Sequence, residues 1–153
     1  RIIDLGAAPG GWSQVAKKLS GPDGTVLGLD LLSIEPINGI KFLKGDINDF
    51  KIHSQIKSHL NDKVDIILSD MAPNTSGHSQ TDHLRIVNLA EIAVNFSEIF
   101  LKKDGFFVCK VFQGGAQGKL LEFMKNTLKD IKYMKPPASR KESSETYLFG
   151  IKK

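Results

Sequence analysis

Cysteine occurs once, at Cys109, so no disulfide can form within the chain, and a lone thiol fits a reducing compartment. The four histidines, His53, His59, His78 and His83, stand at no metal-ligand spacing with that cysteine, and no bound metal is expected. No apolar run approaches the roughly 20 residues of a membrane span. Internal repeats, low-complexity tracts and linker-like stretches are also missing, so residues 1–153 read as a single domain. There is no row of aromatics of the kind that stacks single-stranded nucleic acid. The one charge bias, a net +4, suits a polyanionic partner and equally a lysine-rich solvated face.

What is present is organised around Arg1-Ile2-Ile3-Asp4-Leu5-Gly6-Ala7-Ala8-Pro9-Gly10-Gly11-Trp12. An apolar run of strand character turns through small residues into a helical pattern from Ser13. Glycines and alanines leave almost no bulk at this turn, so a ligand can approach the backbone at Gly6 and beyond. Amides opening the helix would point outward at the positive end of its dipole. A plain strand-to-helix turn needs only one glycine. The spacing is not G-x-G-x-x-G, no Gly-Lys-Ser/Thr follows, and Pro9 removes a donor, so a nucleoside without phosphates fits better than a dinucleotide or ATP.

Further along, Ser13 to Leu19 reads as a short helix with Val15, Ala16 and Leu19 inward, stopped by Gly21-Pro22-Asp23-Gly24. Strands are expected at 25–30, 40–43, 64–70 and 106–112, with helices at about 48–60, 83–101 and 118–128. The second of those helices would pack Leu84, Val87, Ala90, Ala93, Val94 and Leu101 inward. Two closing strands, 131–134 and 146–151, have no helix between them, so the last should run antiparallel to its neighbour; it should also pair next to the fifth. Strands apolar throughout and alternating with helices mean a doubly wound α/β domain, its mostly parallel seven-stranded sheet covered on both faces.

Ligands in such sheets bind at the carboxyl ends of the strands. Asp4, Asp30, Asp46 and Asp70 all sit at or just past strand ends. Asp30 follows Gly6 at close to the ~20-residue distance of an acid that receives ribose hydroxyls, and a carboxylate offers two oxygens to a vicinal diol. Asp46 could take the exocyclic amine of a base. Asp4 is read as structural. Lys110, inside Phe106-Phe107-Val108-Cys109-Lys110-Val111-Phe112, has only apolar neighbours. Such a lysine must be paired, neutralised or open to a cleft, and in a cleft it can serve as a base. Asp70 ends the neighbouring strand and Glu145 begins the last one, so a carboxylate–lysine–carboxylate cluster is expected. Capping by Asp70 and simple solvation of Glu145 are the bland alternatives.

These segments together resemble the FtsJ-type (heat-shock) ribosomal RNA 2′-O-ribose methyltransferases. The resemblance is carried by residues 4–14, Asp30-Leu31-Leu32, Gly45-Asp46, Ser69-Asp70-Met71-Ala72-Pro73-Asn74, Lys110-Val111-Phe112-Gln113-Gly114 and 139–147, in the family's order. It implies a single Rossmann-like S-adenosylmethionine-dependent methyltransferase domain. Gly10 and Trp12, with Gly6 in the same loop, would line the S-adenosylmethionine site. Asp30 would bind the ribose, Asp46 the adenine end, and Asp70 both cofactor and catalytic centre. Asp70, Lys110 and Glu145 match the last three members of the family's Lys-Asp-Lys-Glu tetrad, with Lys110 as general base. The first lysine belongs to a helix ahead of the glycine loop. The chain starts at Arg1 in a strand, without methionine, so residues before it are expected to be missing.

The implied partner is ribosomal RNA or the large ribosomal subunit, the target a ribose 2′-hydroxyl, most simply of a uridine. Arg140 and Lys141 would meet phosphates, or form a solvated loop. A monomer in the bacterial cytoplasm is expected, with a mitochondrial setting as the other location. Methylation of transfer RNA or an mRNA cap, or a non-catalytic ribosome-assembly role, are the alternatives.

Overall fold

The apolar runs pair into one mixed sheet in a computed structural model that describes residues 1–113 and 117–153. Along the chain the elements are β1 (Ile2–Leu5), α1 (Gly11–Ser20), β2 (Val26–Asp30), β3 (Ile40–Lys44), α2 (Phe50–Leu60) and β4 (Val64–Ser69). They continue with α3 (Ser79–Phe100), β5 (Leu101–Phe112), α4 (Gln117–Lys125), β6 (Leu128–Met134) and β7 (Glu145–Lys152). Gly114 of the lysine motif lies outside the described residues.

The strand order is β3-β2-β1-β4-β5-β7-β6. β1 pairs in parallel with both β2 and β4, so the order reverses between β1 and β4, where ligands of such sheets bind. β7 slots antiparallel between β5 and β6. Alternation along the strands separates two faces. Ile3, Leu5, Leu27, Leu29, Ile67 and Phe107 point to one, where α2, α3 and α4 bury them in the main core. Each of these large side chains contributes about 1.5–3 kcal/mol by leaving water.

The other face is thinner. Ile2, Ala16 and Val26 form a small cluster beneath α1, with Ile66 and Leu68 partly buried against it. Residues 31–39 and 135–144 contain no helix, so among the described residues α1 alone packs on this side. Cover on both faces therefore holds unevenly: towards β5 and β7 Phe106 stays 45% exposed, its ring 5.7 Å from that of Phe149.

Local readings shift in four places. α1 buries Ser13 and Ala16, while Val15 and Leu19 face solvent, because the helix is rotated to bring its small residues onto the sheet. α3 begins at Ser79, where the His78 side chain accepts from the Thr81 amide, and buries Ile86 while Leu84 is exposed. β5 starts at Leu101, a register shift opposite β4 absorbing the extra length that includes Asp104 at φ +62°. α4 ends at Lys125, and Leu128 opens β6 instead of closing the helix.

Candidate active site

The loop between β1 and α1 needs its glycines for two separate reasons. Gly6 has φ +73°, and a Cβ there would lie 2.9 Å from the Met71 backbone. Gly10 has φ +113°, and a Cβ there would come 2.8 Å from Ile37. No side chain caps α1, so its first amides keep their hydrogen-bonding capacity.

Asp30 is clamped by this loop. One carboxylate oxygen accepts from the Ala8 amide at 2.9 Å, the other from the Leu32 amide at 2.9 Å. A carboxylate has about four lone-pair sites, so two remain for a ligand while the amides set its orientation. Asp46 uses Oδ1 alone in its turn, accepting from the Asn48 amide at 2.8 Å and the Asn48 side chain at 3.2 Å.

Asp30, Asp46, Gly6, Ala8 and Asp70 line one cleft of about 420 Å³, floored by apolar side chains such as Ile47. That volume lies within the usual range for small-molecule sites. Gly10 and Trp12 are not among the lining residues. A Cβ on Gly10 would point towards Ile37, Phe42 and Ile34, and Trp12 turns its ring onto Tyr147.

At the end of the cleft formed by Asp70, Lys110 places its ammonium 3.1 Å from Asp70 Oδ1 and 3.7 Å from Glu145 Oε1. The sheet makes this meeting possible. β5 lies beside β4 with Cys109 opposite Ser69, and beside β7 with Phe112 opposite Glu145. Lys110 is only 8% exposed, Glu145 47%. A charge that buried is tolerable only when paired, and Asp70 is the closer partner. Asp70 Oδ1 is itself buried and makes no well-aligned hydrogen bond with any described residue, so the ammonium is its compensation at ion-pair range.

Three neighbours were not assigned to the site from sequence. Asp4 stands on the same face, fully buried, accepting from Ser13 Oγ at 2.6 Å, while its Oδ1 has no partner among the described residues. Burial pushes its carboxyl up to about 6, the Ser13 bond opposes this, and the charges of Asp70 and Asp30 add to it. Tyr147 lies opposite Lys110, and burial, then the charges of Asp70 and Glu145, push its phenol up to about 12. Asp82 at the start of α3 accepts from the Ser76 amide at 2.9 Å and Ser76 Oγ at 2.8 Å, which pins the loop after Asp70 and holds its carboxyl below the usual range. The signal for Tyr147 was available: it sits two residues after Glu145 in a strand, hence on the same face. Arg140 and Lys141 are exposed in the loop before Glu145. Among the described residues no three His, Cys, Asp or Glu side chains are grouped to hold a metal ion.

The reversal of strand order at a glycine loop, the clamped acid after β2 and the inserted antiparallel β7 define a doubly wound nucleoside-binding α/β domain of the methyltransferase architecture. The chain belongs to the FtsJ-like methyltransferase family, whose model matches residues 1–153. It is 50% identical over 98% of its length to a ribosomal RNA large subunit methyltransferase E of Gluconobacter oxydans and 49% identical over 97% to that of Granulibacter bethesdensis. It spans 55% and 64% of those two relatives. Among solved structures, a Plasmodium falciparum protein named as a ribosomal RNA methyltransferase superposes with a TM-score of 0.88 at 27% identity, covering 99% of this chain and 85% of that one. An Aeropyrum pernix fibrillarin with natively bound S-adenosyl-L-methionine shares the fold, with a TM-score of 0.64 at 18% identity, covering 98% of this chain and 65% of that one.

Proposed function

We propose that this chain transfers a methyl group from S-adenosylmethionine to a ribose 2′-hydroxyl of large-subunit ribosomal RNA, a uridine being the expected nucleotide, with Lys110 as general base. The observation that carries this reading is the Asp70–Lys110–Glu145 cluster standing at the end of the same cleft that Asp30 and Asp46 line. The names of its relatives support the RNA substrate.

The residues fit the cofactor. Asp30, held by two amides, keeps lone pairs for a ribose diol, Asp46 supplies an acceptor for an amino group, and Gly6 with Ala8 offers a loop free of bulky side chains. Gly10 and Trp12 belong to that reading through the loop they share with Gly6. When bound, S-adenosylmethionine supplies a methyl carbon made electrophilic by its sulfonium. The protein then has to align the 2′-oxygen and remove its proton, and alignment of this kind accounts for much of a transfer reaction's acceleration. Lys110 Nζ, in its neutral form, takes the proton; Asp70 and Glu145 fix where that nitrogen points and stabilise the ammonium that results. Arg140 and Lys141, exposed beside Glu145, are placed to meet phosphates.

The test is transfer of labelled methyl to unmethylated large ribosomal subunits by the full chain and its Lys110→Ala variant. Label on a ribose 2′-oxygen, lost in the variant, is the expected result. Cofactor binding without any label would overturn the reading in favour of an assembly factor or a transfer-RNA or cap substrate.

A further inference from the structure

Lys110 reaches its carboxylates on a flexible four-carbon stem, and an ion pair at the tip restrains only the tip. Something must hold the stem. Its cross-strand partner is Tyr147, opposite Lys110 in the antiparallel β5–β7 register, so the two side chains stand side by side on one face. Tyr147 is half-buried, and Asp70 and Glu145, the carboxylates that flank the ammonium, also act on its phenol. Its ring makes a described contact within the protein, with Trp12.

That ring is braced from outside. Trp12, in the first turn of α1, packs on it with centroids 5.4 Å apart and planes inclined at 41°. Trp12 directly follows the glycine loop, so this contact joins the cofactor-side loop to the strand pair that carries Lys110 and Glu145.

We propose that Tyr147, braced by Trp12, is a positioning residue whose ring walls in the Lys110 side chain and keeps its nitrogen between Asp70 and Glu145. The role rests on the proposed function, in which Lys110 is the base. It gives Trp12 a task apart from the cofactor cleft, which its side chain does not line.

The test compares Tyr147→Phe and Tyr147→Ala in the full chain by turnover, S-adenosylmethionine affinity and NMR of the Lys110 ε-methylene group. Tyr147→Ala should lower kcat on the order of 10- to 100-fold, the size expected for a misplaced reacting group, while cofactor affinity stays within about twofold. Tyr147→Phe, which keeps the ring, should restore most of the lost rate. The two Lys110 ε-protons should have distinct shifts in the wild type and in Tyr147→Phe and merge in Tyr147→Ala and Trp12→Ala. A wild-type rate or distinct ε-protons in Tyr147→Ala would overturn the proposal, as would a Tyr147→Phe variant as impaired as the alanine. If the wild type itself transfers no methyl, the proposed function fails while the ε-proton signals still decide the role of Tyr147.

Discussion

Lys110 and Asp70 meet across adjacent strands with 3.1 Å between Nζ and Oδ1, and the two ends of the pair are unequally buried. The lysine is 8% exposed and the aspartate 31%, so removing either partner strands a different charge. Asp70→Ala leaves the more buried ammonium with only the half-exposed Glu145, and should cost about 1–3 kcal/mol of stability. Lys110→Met fills the same space without a charge and should cost less. Urea unfolding of both variants checks this ordering. A Lys110→Met protein less stable than Asp70→Ala would show that the aspartate is the costly member.

Stability should fall as the pH rises from about 4 to about 6. Asp4 titrates near 3.8 when unfolded and near 6 when folded. The folded state therefore binds the extra proton in that window, and raising the pH removes its advantage. The full effect is about 3 kcal/mol, at ~1.4 kcal/mol per unit. Asp4→Asn should flatten this limb of the pH–stability curve, and Ser13→Ala, which loses the bond favouring the carboxylate, should extend it above pH 6. An unchanged curve in Asp4→Asn would assign the limb to another group.

Cofactor affinity should depend on Asp30 more than on Asp46. Asp30 holds the loop through Ala8 and presents its remaining lone pairs, so Asp30→Ala removes both a ligand contact and the geometry of the loop. A loss of about 10- to 100-fold in S-adenosylmethionine affinity by calorimetry is expected, the worth of one or two charge-assisted hydrogen bonds. Asp46→Ala, whose carboxylate organises only a local turn, should lose less.

Two glycines of one loop should respond oppositely to alanine. Gly6→Ala meets the Met71 backbone at 2.9 Å and carries a strained φ, and should destabilise the fold by roughly 1–3 kcal/mol. At Gly11, already helical, a Cβ would meet nothing within 4 Å, so Gly11→Ala should stabilise by about 0.5–1 kcal/mol. Thermal melts of the two variants decide this. A stabilised Gly6→Ala would mean that the Gly6–Met71 approach is not tight.

What the sequence determined by itself was everything that depends on neighbours along the chain. Continuous apolar runs, glycine turns and the acids at strand ends are local features, so the order of strands and helices, the glycine loop, Asp30, Asp46 and the odd placement of Lys110 were all legible. The missing helix before the last strand announced that β7 would run antiparallel to its neighbour. Tertiary structure decided the rest, because rotation of a helix and pairing across strands depend on distant residues. α1 turned Ser13 towards Asp4 and left Val15 and Leu19 in water, against its simple apolar pattern. β7 set Tyr147 opposite Lys110 and brought it under Trp12, residues separated by most of the chain. Burial made Asp4 a proton-holding group, since desolvation is a property of the packed sheet and leaves no mark in sequence.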